Sequence, residues 1–198
     1  MICISQFQGF NITPEQMNLL FRIRIIWRDI ATWMRAYLIY TFLNSDPVLK
    51  QAAAEQLNNL PTAYRNVFKQ YFGDKVADEY VNRLSDYIRL LISLIDAEKS
   101  GDTYAINEYT RQIYLNVDNR VNLLSKINPF WQKETFLDLL NNFTKMTISE
   151  ITTFANKDYL RNTDLYKSIL SYTDSMGDYI ADGLVKYLAY LREPGAPE

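Results

Sequence analysis

Apolar residues recur every three or four positions along most of this chain. That period belongs to amphipathic helices rather than strands. The first helix starts sharply: Thr13 suits the cap, Pro14 the first turn, and Gln16 completes a Thr-x-x-Gln capping box. It is predicted to run to about Leu43, with Leu19, Ile23, Ile26, Trp27, Ile30, Met34 and Leu38 on one broad face. Phe21, Ile25 and Ile39 fall nearly opposite and are candidate interface residues. A second helix is predicted from Asp46-Pro47 to Leu60-Pro61, and a short third from Pro61 to Phe72, where Gly73 stops it. Further helices are predicted over about 74–99, 103–127, 132–155 and 163–192, with Asp102 capping one of them and Asn128-Pro129 ending it.

This pattern predicts an all-α fold: one domain over 1–198, a four-helix core of long helices with additional helices, and flexible termini at 1–12 and 193–198. Composition agrees. The 198 residues include only 6 glycines, and 48% of them are apolar, enough to bury a sizeable core without disulfides or metals.

Charge narrows the partners. The net charge of −2 provides no basic excess to attract nucleic acid. The pairing of tyrosine with arginine at Tyr64-Arg65, Tyr109-x-Arg111 and Tyr159-x-Arg161 does not change that expectation. The lone Cys3 fits a reducing compartment, and the first ten residues show no signal-peptide pattern, so a cytoplasmic protein is expected. On that reading the sequons at Asn11 and Asn142 carry no meaning. The apolar stretch 23–43 holds Arg24, Arg28, Asp29 and Arg35, each costing about 2.5–3.5 kcal/mol at mid-bilayer, so no span is expected.

The chain has no histidine. That removes Ser-His-Asp and Cys-His catalysis, histidine zinc sites, the Glu-x-x-His pairs of di-iron bundles and histidine-ligated haem. The six glycines form neither a Gly-x-Gly-x-x-Gly nor a P-loop. No cofactor and no metal are expected. Carboxylates remain: Asp174, Asp178 and Asp182 share one face of the last helix. A solvated acidic face is the ordinary reading, and a hard-cation or acid–base site the alternative. Arg24, Arg28 and Arg35 mirror the row on the first helix, and we expect the two rows to pair, within one chain or across a dimer.

The chain resembles a small family of bacterial helical proteins of no established activity, some carrying an automatic acetylglutamate kinase label. The resemblance runs from Trp27 to Leu188. It rests on Trp27, Trp33 and Arg35, on Tyr71-Phe72-Gly73, and on Ser100-Gly101-Asp102. Tyr114, Asn116 and Asp118 follow, then Asn128-Pro129-Phe130-Trp131, Thr147, Asp178 and Asp182-Gly183-Leu184. The family carries a histidine near the middle of each of four long helices. The matching positions here are Ile30, Tyr87, Phe143 and Tyr172, so the resemblance implies that any site built on those histidines is lost and that these four fill the bundle centre. Asp29 and Asp86 match acidic positions of the family. The kinase label finds neither a phosphate-cradling glycine loop nor an alternating βαβ pattern.

The leading expectation is therefore a non-enzymatic interaction or structural protein that forms homo-oligomers. The alternative is a bundle binding a small molecule in an aromatic central pocket near Trp27, Ile30, Tyr87, Phe143 and Tyr172, with Asp178 and Asp182 as further candidates. An enzyme using only carboxylates and tyrosines is the third reading.

Overall fold

The capping box at the first helix forms as its sequence predicts. The Thr13 hydroxyl accepts from the Gln16 backbone N–H at 3.3 Å, and the Gln16 side chain accepts from the Thr13 N–H at 3.0 Å. In the computed structural model, which describes residues 13–192, this begins α1 (Pro14–Phe42). Then come α2 (Pro47–Ser100), α3 (Thr103–Ile127), α4 (Lys133–Ala155) and α5 (Tyr159–Leu191). The described residues contain no strand, and the chain forms the all-α bundle expected of it. The stretches 1–12 and 193–198, with Cys3 and Asn11, lie outside the described residues.

Two predicted boundaries move. No break occurs at Pro61, which sits inside α2. An internal proline loses one backbone hydrogen bond and crowds the preceding turn, at about 3 kcal/mol. Here Pro61 is buried, and Leu57 and Tyr64 on either side of it are fully buried, so packing outweighs that local preference. The last helix starts at Tyr159, four residues earlier than predicted, because Asp158 caps it by accepting from the Arg161 N–H at 3.3 Å.

Gly73 does interrupt the helix, with φ 76° and ψ 174°. The chain reverses there. Tyr64 and Tyr80 are sixteen residues apart and would stand about 24 Å apart on a straight helix. Their ring centroids are instead 5.3 Å apart. Arg65 reaches Asp78 at 2.6 Å, and Lys50 reaches Asp96 at 2.7 Å. Thus α2 is a helical hairpin with two antiparallel arms.

The elements close into a ring: α1 packs on α2, α2 on α3, α3 on α4, α4 on α5, and α5 on α1. One connected core fills the ring. Two glycines set the closest approaches. A Cβ at Gly177 would lie 2.8 Å from the Arg24 Cα, so α1 and α5 touch backbone to backbone there. At Gly183 a Cβ would overlap the Trp131 indole, which lies directly on α5. The Asn128 amide donates to the Gly183 carbonyl at 3.0 Å and holds the α3–α4 turn in place. No helix among the described residues is long and apolar enough to cross a membrane.

A Cβ at Gly73 meets nothing within 4 Å, and the same holds at Gly101, where φ is 72° and ψ 21°. Only backbone strain opposes a side chain at either site. Gly73 lies in a region almost restricted to glycine, whereas Gly101 is in the ordinary left-handed cap conformation. Gly73→Ala is expected to cost about 2–3 kcal/mol in urea unfolding and Gly101→Ala about 1 kcal/mol. An unchanged midpoint for Gly73→Ala would show that the hairpin does not need this glycine.

Candidate functional site

Helical periodicity turns Trp27, Ile30, Tyr87 and Phe143 inward, and all four are buried. Trp27 packs edge-on against Phe143 at 5.3 Å and against Tyr64 at 6.0 Å. The Tyr87 hydroxyl lies 3.0 Å from the Thr144 hydroxyl. Tyr172 does not join them in burial: it is half-buried, and its phenol pKa is raised by burial and pulled back by Asn142. Four of the five central candidates therefore belong to the buried aromatic core.

The core also holds a group that sequence reasoning did not single out. Arg120 on α3 is 1% exposed. Its guanidinium lies over the Tyr87 ring at 4.2 Å, and its Nε donates to the Asn116 side-chain oxygen at 2.9 Å. No carboxylate pairs with it among the described residues, and its Nη1 has no hydrogen-bond partner in the protein. Arginine keeps its charge when buried. A desolvated cation–π contact returns about 2 kcal/mol, while taking the ion out of water costs several times that. Burial raises the phenol pKa values of Tyr64, Tyr80 and Tyr87, and Arg120 pulls all three back down. The sequence did carry a signal. Ile113, Val117, Arg120, Val121 and Leu124 are the buried face of α3, so a charged residue stands in an apolar stripe.

The acidic row does not converge on a site. Asp178 forms a two-pronged pair with Arg24, with Nε–Oδ1 at 2.5 Å and Nη2–Oδ2 at 2.7 Å. Asp174 faces Arg28 at 3.8 Å in solvent, where a pair contributes little. Asp182 pairs within its own helix with Lys186 at 2.7 Å. So two members of each row pair between α1 and α5 of one chain. Arg35 turns elsewhere. It donates to Glu150 of α4 at 2.5 Å and to Asn162 of α5 at 2.9 Å, and lies over the Tyr166 ring at 4.4 Å. Burial alone raises the carboxyl pKa of Asp29. Asp86 pairs with Arg89 of its own helix and lines a polar groove of about 440 Å³ between α2 and α3. Asn116 lines the same groove, donates to the Arg83 carbonyl at 2.9 Å, and accepts from Arg120. Of the interface candidates, Phe21 and Ile25 are about half exposed, whereas Ile39 is partly buried against the core. Among the described residues no group of three or more carboxylates or cysteines is placed to hold a metal.

Glu150 is 3% exposed. Burial raises its pKa to about 7, against the opposing pull of Arg35. Between the unfolded value near 4.5 and about 7, the native state keeps a proton that the unfolded chain has released. Stability should therefore fall as pH rises through that window, by up to about 3 kcal/mol from this group. Glu150→Gln, permanently neutral and of the same shape, should flatten that segment of the stability–pH curve. A variant curve that parallels the wild type from pH 4.5 to 7 would assign the slope to other groups.

No family model matches the chain, and neither does any curated protein or solved structure.

Proposed function

We propose that this chain is a non-catalytic interaction protein that docks through one end of its bundle. The observation behind this is where the exposed apolar side chains lie. Of the eleven large apolar residues exposed among the described residues, six are Leu43, Val48, Leu49, Tyr104, Tyr159 and Leu160. All six flank the α1–α2, α2–α3 and α4–α5 turns. Those turns share one end: Lys50 meets Asp96 across the α2 hairpin, and Phe42 packs on Phe154, which packs on Tyr159. Three helices start there, each capped by an aspartate: Asp46, Asp102 and Asp158. Each cap is followed within three residues by an exposed apolar side chain.

A second copy is the occupant we favour. The exposed Asp46, Asp102 and Asp158 share this end with the exposed Lys157 and Arg161, so the face carries both charges around its apolar residues. Such a face is complementary to itself under a two-fold axis. The Phe21–Ile25 pair on α1 is a smaller apolar strip. A second reading, a bundle that takes a small ligand near its centre, is favoured by Arg120 among the aromatic rings.

Sedimentation equilibrium at micromolar concentration tests the docking end. The wild type should be a homo-oligomer. Val48→Lys combined with Leu160→Lys should give a monomer of unchanged helicity and near-unchanged stability, since both residues are exposed. Phe21→Lys combined with Ile25→Lys should leave the oligomer intact. A monomeric wild type would end the proposal, and dissociation only by the second pair would move the interface to α1.

A further inference from the structure

We infer that residues 159–168, the first ten of α5, form a strap that opens from the bundle as a unit when Glu150 releases its proton. Little apolar packing holds this stretch down. Of the fourteen residues between Phe154 and Ile169, Asn162 alone is buried. None of the others is among the apolar side chains packed on the core. Six successive residues, 156–161, are exposed, and Leu160 is 86% exposed. Tyr159 touches Phe154 at 5.2 Å and Tyr166 lies against the Arg35 guanidinium at 4.4 Å, while both rings keep part of their surface in water. A stretch with so few buried apolar contacts is where local opening costs least. The chain enters it through Lys157, whose φ of 63° is in the left-handed region.

The buried anchor of the strap is polar. The Asn162 side-chain oxygen accepts from Arg35 at 2.9 Å, and its amide donates to the Glu150 carbonyl at 2.7 Å. The same Arg35 nitrogen donates to the Glu150 carboxyl at 2.5 Å. Asn162 and Glu150 thus share one donor, and Glu150 is 3% exposed beneath the strap. Burial holds its pKa up at about 7 against the pull of Arg35. Lifting Asn162 lets water reach the carboxyl and returns its pKa toward the ordinary 4.5. Opening therefore releases a proton and is favoured as pH rises through that window. Neighbouring groups have partners of their own. On the second arm of α2, Glu98 accepts from Thr152, and Asp96 accepts from Lys50 and Tyr37. On α5, Asp158 caps the helix, Asp164 faces Lys167, and Tyr166 donates to Thr32. The chain has no histidine, so no side chain of ordinary pKa titrates near pH 6. Tyr159 and Leu160 ride on the strap, so opening dismantles part of the docking end; that consequence rests on the docking reading, whereas the opening itself does not.

Amide hydrogen exchange of the full chain, followed by mass spectrometry with each rate divided by its intrinsic rate at the same pH, tests the strap. Amides 163–168 should exchange at least about tenfold faster than amides 176–184 of the same helix, and should ignore urea well below the unfolding midpoint, because opening exposes little surface. Their protection should fall by about tenfold per pH unit between about pH 5 and 6.5 and level off above about 7. Glu150→Gln should hold that protection flat near its low-pH value, which separates Glu150 from Asp29, the other carboxyl that burial raises. Asn162→Ala should speed exchange of 163–168 about tenfold at low pH. If amides 163–168 share the urea dependence of 176–184, there is no separate strap. Wild-type protection that ignores pH, a slope that survives in Glu150→Gln, or unchanged exchange in Asn162→Ala would each overturn the inference. A monomeric wild type, which ends the docking reading, would leave the slope in place.

Discussion

The reversal at Gly73 is the constraint on which the rest of this bundle depends. It changes a sequence of about fifty helical residues into two arms that face each other. Without it, Tyr64 and Phe68 would stand several turns away from Tyr80. With it, they pack ring to ring, and Phe68 also stacks on Trp131 at 5.9 Å. Trp131 in turn lies on Gly183. One positive φ thus leads through a chain of aromatic contacts to the seating of the α3–α4 turn on the last helix.

Polar contacts then set how α1, α4 and α5 register. Apolar faces of helices slide past one another at little cost, whereas hydrogen-bonded ion pairs do not. The Arg24–Asp178 fork fixes α1 against α5 beside the close approach at Gly177. About three turns further along α1, Arg35 ties that helix to Glu150 of α4 and Asn162 of α5, and the Asn162 amide also donates to the Glu150 carbonyl at 2.7 Å. The two networks differ in kind. Arg24 and Asp178 keep part of their hydration, so their pair adds modestly to stability. Glu150 does not, and burial raises its pKa to about 7 even against the pull of Arg35.

Much of this was legible in the sequence, for identifiable reasons. Caps are local: Thr13 with Gln16, Asp102 and the glycines at 73 and 101 act through residues a few positions away. Burial of Trp27, Ile30 and Tyr87 follows from periodicity, whereas Phe143 was expected at the centre only from the family resemblance. Pro61 misled because its local preference for a helix start was overridden by burial, a tertiary effect. The pairing of Arg24 with Asp178 was legible as two facing rows, but the departure of Arg35 to Glu150 was not, since nothing local assigns a partner on α4. Arg120 was visible as a charge in an apolar stripe; only the fold shows that no acid meets it. The Asn128-Pro129-Phe130-Trp131 and Asp182-Gly183 pieces, on which the family resemblance leans, meet each other in space through Asn128, Trp131 and Gly183. These pieces therefore have a packing role in this chain.

The end of the bundle and its centre pose opposite physical problems. At the end, apolar side chains stand in water beside aspartate caps whose job is already done by accepting backbone N–H groups. A helix start needs only the cap; it does not need Val48, Tyr104 or Leu160 beside it, and a polar residue would serve helix formation as well. Folding thus leaves these side chains in water. At the centre, a charge stands in an apolar core, where a leucine would pack without desolvation cost. Folding does not require Arg120 any more than it requires Leu160. Each is placed against the local rule for its surroundings.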